Sequence, residues 1–416
     1  MTTTTAAPPR SYVSRNEHMT FRANTGVGRH GWLRLTPAYG VRLVRDRIAE
    51  LDPGAVVADP FSGTGTTPLA AAELGYRGQA LDINPFLVWL GNAKSARYGE
   101  DSLRTAAREA DRIAGIVSND RDAGSLWEPP LFKIEKWWSP TTLNALKVLR
   151  AELDSLTGQV RDLLDVAFCR TLISCSNAAF NHQSMSFKDE ADMPRLFELD
   201  EAVTLASAFG DDARFVIASA GLDLSGSARV ALGDARLSPS PLAKADLILT
   251  SPPYVNRMSY IRELRHYMYW LRFLGSGADA GDLDWQAIGG TWGTATSKLN
   301  KWEPADATPV DGELAPVADA IRRDGGRNGS LLATYVTKYH HDMWAHFQSI
   351  TQQLNSGGRV SYIVGNSTFY GHEVPAQRWY AAMLGELGYE RVRVDVIRKR
   401  NSNKALFEYE VSGRRP

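Results

Sequence analysis

The stretch "GAVVADPFSGTGTTPLAAAELGYRGQALDIN" (residues 54–84) decides the fold. "GAVVADPF" (54–61) reads as a short buried strand and "TTPLAAAELGY" (66–76) as a helix closed by Gly75. "RGQALDIN" (77–84) then returns as a second buried strand. Strand, helix and strand in this order predict a right-handed crossover joining a parallel pair, so the chain begins as an α/β fold.

Between the first strand and the helix, Gly63 and Gly65 let the backbone turn sharply and approach a ligand with no Cβ in the way. The helix start that follows offers free N–H groups. The spacing is not the dinucleotide G-x-G-x-x-G, since no third glycine follows at the required offset. Asp82, at the end of the second strand, stands where an acid accepts from ribose hydroxyls. Asp59 is placed to accept from the turn or from a positive ligand group. In "LGDAR" (232–236) Asp234 ends a third strand and suits an exocyclic amine of an adenine, against the plainer reading of a surface-turn aspartate.

Strand signals resume at "ARVALGDA" (228–235), "ADLILTS" (245–251), "GRVSYIVGN" (358–366) and "YERVRVDVIRKR" (389–400). Helical periodicity fills much of 97–228, and a Gly-, Trp- and Asp-rich segment interrupts the sheet again at 275–330. The 416 residues are 44% hydrophobic, enough for a large core. No run reaches the roughly 20 apolar residues of a membrane span, and "MTTTTAAPPRS" lacks a signal-peptide core. A cytoplasmic setting is expected. Charge is balanced, with 47 basic and 47 acidic residues, which weakens a nucleic-acid reading without excluding a local basic face. Cys169 and Cys175 make neither a disulfide framework nor a zinc site. His340 and His341 are adjacent on a predicted helix and share no ligand face, so no metal is expected.

"ADLILTSPPYVNRMSY" (245–260) ends an apolar strand in Ser251, Pro252, Pro253 and Tyr254. Two prolines give a stiff loop that presents carbonyls and cannot run on into a helix. Such a loop suits an amine that must be held while its lone pair attacks, with acceptors at Ser251 and the Pro252 carbonyl and a stacking ring at Tyr254. Seen alone, the same residues make a rigid turn with a packed tyrosine.

The pair "DPFSGTGTT" and "TSPPY" resembles the two signature motifs of the amino-group DNA methyltransferases, which transfer methyl from S-adenosylmethionine to an exocyclic amine of a base. The resemblance implies a Rossmann-like class I methyltransferase sheet, here with a large, mainly helical insertion and a second, loop-rich one. It implies that Asp59, Phe61, Gly63, Gly65 and Thr66 line the methionine part of the cofactor. Asp82 would lie at the ribose and Asp234 at the adenine, with Pro60, Asn84 and Ala235 also cofactor-binding. "LTPAY" (35–39) resembles the extra cofactor-contacting motif through Pro37 and Tyr39. Ser251, Pro252, Pro253 and Tyr254 would be catalytic, and a serine in first place is commoner among cytosine-N4 enzymes than adenine-N6 ones. Carbon-5 methylation needs a Pro-Cys nucleophile, and neither cysteine follows a proline.

The expected division is a disordered 1–15, a methyltransferase domain in pieces 16–96, 229–274 and 336–416, and insertions at 97–228 and 275–335 that are candidates for target recognition. The order of motifs departs from the family's usual layout, in which this glycine motif follows the Pro-Pro-Tyr motif. Double-stranded DNA is the expected partner, with base flipping and a cognate restriction endonuclease in the same system. Arg257, Arg262, Arg265, Arg398, Lys399 and Arg400 are candidate DNA contacts, although any one of them reads equally as a solvated surface charge. Rival readings are an RNA base methyltransferase, a protein-glutamine methyltransferase and a binding protein without turnover.

Overall fold

The computed structural model describes residues 21–33, 35, 39–119, 124–179, 186–187, 200–238, 240–291, 293–400 and 405–416. The N-terminal segment 1–15, Pro37 of the "LTPAY" stretch and 401–404 of the basic loop lie outside them.

Among the described residues, seven strands build the main sheet: β1 (Val56–Asp59), β2 (Arg77–Asp82), β3 (Ser227–Leu232), β4 (Ala245–Thr250), β5 (Leu354–Gly365), β6 (Glu390–Lys399) and β7 (Phe407–Arg414). Their order is β6-β7-β5-β4-β1-β2-β3. β1 pairs in parallel with β2 and β4, β2 with β3, and β4 with β5. Only β7 runs antiparallel, to β5 and β6. This is the expected Rossmann-like, mostly parallel α/β sheet. Its central strands are apolar on both faces because helices cover both: Val57, Ala58, Leu247, Ile248 and Leu249 are fully or almost fully buried. Strand order reverses between β1 and β4, and that reversal opens a crevice at the carboxyl edge.

The sequence reading passes over β7. Its "FEYEVSGR" looks too acidic for an inner strand, yet Glu408 and Glu410 are each only 5% exposed. Both are paired with arginines, Glu408 with Arg398 at 2.6 Å and Glu410 with Arg47 at 2.5 Å. A buried carboxylate is tolerated when a guanidinium fork takes its lone pairs.

The first insertion is helical, with helices Glu100–Asn119, Pro140–Asp154, Gly158–Ser174 and Glu201–Ala220. Ser139 and Asp200 cap two of these by accepting from Thr142 and Ala202 N–H groups at 3.1 Å. The bundle shares one core with the helices Pro85–Ser95 and Tyr260–Trp270, in which Phe86, Leu90, Phe168, Met268 and Trp270 are all fully buried. Each such side chain contributes roughly 1.5–3 kcal/mol, so the insertion is anchored to the helix that follows the Ser-Pro-Pro-Tyr turn. The second insertion, despite its glycines, carries the helices Gly277–Gln286, Thr294–Leu299 and Asp311–Asp324. It is tied to the same helix by Ser259, whose hydroxyl meets the buried Asp284 at 2.5 Å. No helix among the described residues is long and apolar enough to cross a membrane.

Candidate active site

At the reversal point a cavity of about 1050 Å³, its open mouth included, is walled by the ends of β1, β2, β3 and β4. The glycine turn and the Ser-Pro-Pro-Tyr turn, nearly two hundred residues apart in sequence, face it together. Pro60, Phe61, Gly63, Thr66, Asp82, Asn84, Asp234 and Ala235 line it, as do Tyr39 and Ser251, Pro252, Pro253 and Tyr254. Of the expected cofactor residues that are described, Asp59 and Gly65 do not reach the wall.

The two glycines divide their work. Gly63 has φ +50°, and a Cβ there would meet nothing nearer than 3.8 Å, so its conformation demands glycine and its open side faces the cavity. Gly65, φ +76°, lies against the neighbouring helix instead, where a Cβ would stand 3.1 Å from Gly91 Cα. The first glycine therefore leaves the cavity side of the turn open, and the second allows helix packing.

Asp82 holds this turn in shape. One carboxyl oxygen accepts from Gly63 N–H at 2.8 Å and the other from Asn84 N–H at 2.9 Å. Asn84 in turn caps its helix by accepting from Phe86 N–H at 3.0 Å, with Pro85 at the first helical position. Burial pushes the Asp82 carboxyl up to about 7 against the pull of those two N–H groups. Asp59, fully buried, serves the turn and not the cavity: it accepts from Phe61 N–H at 3.0 Å and from Thr250 Oγ1 at 2.5 Å. Burial raises its carboxyl to about 6 against the pull of its hydrogen bonds.

Asp234 is not a free acceptor. Burial alone would raise its pKa, but the Arg236 guanidinium, at 2.6 Å, outweighs burial and holds it below the usual range. Arg236 also donates to the Gln286 carbonyl at 2.6 Å, which brings Gln286, Ala287 and Ile288 of the second insertion to the cavity rim. Sequence reasoning missed these rim residues, along with Leu87, Ile261 and Leu264. None of them carries a motif, and only the fold brings them together.

The Pro-Pro turn is rigidly held. Tyr339 donates to the Pro253 carbonyl at 2.7 Å, and Tyr254 N–H donates to the Tyr260 hydroxyl at 3.2 Å. Ser251 Oγ donates to the Ile363 carbonyl at 3.2 Å.

The six basic residues singled out in the sequence separate. Arg257 is exposed just beyond the Ser-Pro-Pro-Tyr turn, while Arg262 and Lys399 are half-buried. Arg265 lies over Trp137, 5.2 Å from its ring centre, and burial lowers it to about 10. Arg398 is committed to Glu408, and Arg400 lies 5.3 Å from the ring centre of Tyr254 while donating to the Phe407 carbonyl at 3.1 Å. Arg265, Arg398 and Arg400 are thus half-buried, and each engages a partner within the protein.

Lys94 is a further buried charge. At 1% exposure its Nζ donates to the Thr64 carbonyl at 3.0 Å, behind the glycine turn, and burial lowers it to about 7. The folded chain therefore holds fewer protons than the unfolded one between about 7 and 10.5, and stability should rise with pH across that window. The slope is at most about 1.4 kcal/mol per pH unit. Urea unfolding of Lys94→Met at several pH values should show that slope gone; an unchanged slope would assign it elsewhere.

No protein-family model matches the chain. Among curated proteins it is similar to the Type II methyltransferase M.BsoBI of Geobacillus stearothermophilus, 20% identical over 434 residues that cover 93% of this chain and 84% of that protein. Two solved structures of the rRNA methyltransferase aviRa from Streptomyces viridochromogenes match at 11% identity with TM-scores of 0.27 and 0.26. They cover 94% and 92% of this chain and 92% and 87% of theirs. Those scores are too low to carry an argument about site or substrate.

Proposed function

We propose that the protein is an S-adenosylmethionine-dependent DNA methyltransferase that modifies an exocyclic base amine, cytosine N4 first and adenine N6 as runner-up. The observation that carries this reading is the meeting of the glycine turn and the Ser-Pro-Pro-Tyr turn across one cavity at the switch point of the sheet. The similarity to a Type II methyltransferase over nearly the whole chain supports it.

The cavity suits the cofactor. Gly63 leaves its side of the turn open, Asp82 lines the wall as an acceptor, and apolar Leu35, Phe61 and Leu87 offer a surface for a purine. When bound, S-adenosylmethionine supplies an electrophilic methyl carbon. The residues of the chain do the rest by placement. Ser251 Oγ and the Pro252 carbonyl accept from the amine hydrogens, which draws the nitrogen toward tetrahedral geometry and localises its lone pair. The proline pair keeps those acceptors from relaxing, and Tyr254 walls the base site. A base must leave its duplex to reach this depth. The second insertion, which borders the cavity at 286–288, and exposed Arg257 are the first candidates for touching DNA beside the flipped base. A cognate nuclease belongs to the same reading.

The test is transfer of labelled methyl to duplex DNA, RNA and protein in parallel, followed by digestion and nucleoside mass spectrometry. N4-methyl-2′-deoxycytidine from DNA is expected. N6-methyladenine would move the reading to the runner-up, and label on RNA or protein alone would sink it.

A further inference from the structure

Glu408 is 5% exposed, sits 154 positions from Tyr254 in sequence and does not line the cavity. Its Oε1 accepts from the Tyr254 hydroxyl at 2.9 Å. Arg398 closes on the same carboxylate from behind, with Nε at 2.6 Å from Oε2 and Nη2 at 3.2 Å from Oε1. The β7 register places Glu408 opposite both Gly365 of β5 and Arg398 of β6, so the sheet itself sets this contact.

A carboxylate gripped by a guanidinium has only lone pairs to offer. The single hydrogen of the Tyr254 hydroxyl must therefore point at Glu408, and Tyr254 Oη meets Ser251 with lone pairs. Ser251 Oγ has one hydrogen and two protein acceptors for it, the Ile363 carbonyl at 3.2 Å and Tyr254 Oη at 3.4 Å. With that hydrogen spent on the protein, Ser251 presents lone pairs to the cavity. Were Tyr254 free to rotate its hydroxyl, it would donate to Ser251 and occupy an acceptor that a substrate amine needs.

We propose that Glu408, clamped by Arg398, is a positioning residue that fixes the direction of the Tyr254–Ser251 hydrogen-bond chain, so that the site selects a hydrogen-bond donor such as an amine. The inference rests on the proposed function and adds a residue to it. Neither Glu408 nor Arg398 touches the substrate; both act through the tyrosine.

Glu408→Gln keeps the shape but offers the tyrosine an amide that either donates or accepts. In this variant kcat for duplex DNA should fall about 10–100-fold, with KM for DNA and cofactor affinity within about twofold. Tyr254→Phe removes the hydroxyl that would turn on Ser251, so it should cost less than Glu408→Gln. The double variant Glu408→Gln/Tyr254→Phe should recover to the level of Tyr254→Phe alone. Recovery of this kind is not expected from a merely structural glutamate. A double variant as slow as Glu408→Gln, or slower, overturns the proposal.

Urea unfolding of the same four proteins separates this failure from failure of the proposed function. The unfolding constants should be non-additive by about fivefold or more, reporting the Tyr254–Glu408 bond whatever the substrate is. Additive constants overturn the Glu408 proposal. A wild-type chain that methylates no DNA overturns the proposed function instead.

Discussion

Ser251→Ala is expected to lower methyl transfer to duplex DNA by about 10²–10³-fold, the usual loss when one preorganised polar group at a reacting atom is deleted. Cofactor affinity should stay within about twofold, because Ser251 stands at the end of β4 while the glycine turn and Asp82 stand at β1 and β2. The hydroxyl makes its bonds to Ile363 and Tyr254 at 3.2 and 3.4 Å, both long, so its loss should cost little stability. Single-turnover transfer beside calorimetric cofactor binding measures the two effects separately. If turnover fell only in step with the folded fraction, Ser251 would be a packing residue and the catalytic assignment would fail.

Asp82→Ala should act in the opposite sense and weaken cofactor binding by about 10²-fold. It leaves the Gly63 and Asn84 N–H groups without their acceptor and removes an acceptor from the cavity wall. Two lost bonds to a carboxylate at about 1.5–3 kcal/mol each would exceed that figure, but water in the open cavity replaces part of them. Unchanged affinity with only a lower melting temperature would restrict Asp82 to holding the turn.

The same carboxyl gives a pH signature. In the ligand-free protein Asp82 is raised from 3.8 to about 7 and Asp59 to about 6, in each case chiefly by burial. These two carboxyls hold more protons in the folded chain than in the unfolded one between about 4 and 7, so their contribution to stability falls as pH rises through that window, opposite in sign to that of His340 and His346, which burial lowers to about 3 and about 4. Ligand binding should run the other way, since hydroxyl donors favour the ionised carboxylate and tighten binding as pH approaches 7. Asp82→Asn should flatten the binding trend and leave the Asp59 part of the stability trend.

The α/β core was legible in the sequence because its signals are local. Apolar runs of strand length, a glycine turn and a helix with Gly75 at its end lie within 54–84. The same holds for the rigid end of β4, where two prolines restrict the backbone wherever they occur. The insertion helices were legible through their periodicity, whereas the caps Ser139 and Asp200 emerged only with the structure.

Strand β7 was not legible, because alternating glutamates look solvated until arginines from β6 and from the helix Val41–Ile48 are seen to meet them. The placement of Arg398 at Glu408 and of Arg400 at Tyr254 escaped for the same reason: a charge in a sequence has no partner until the sheet supplies one. Residue type and spacing depend on interactions within a few residues, so this chain declared its turns, its strands and the chemistry of its two motifs by those alone. The cavity those motifs share, the withdrawal of Asp59 and Gly65 from its wall, and the carboxylate behind the tyrosine depend on strand order and register. Those contacts cross hundreds of residues, and only packing the sheet created them.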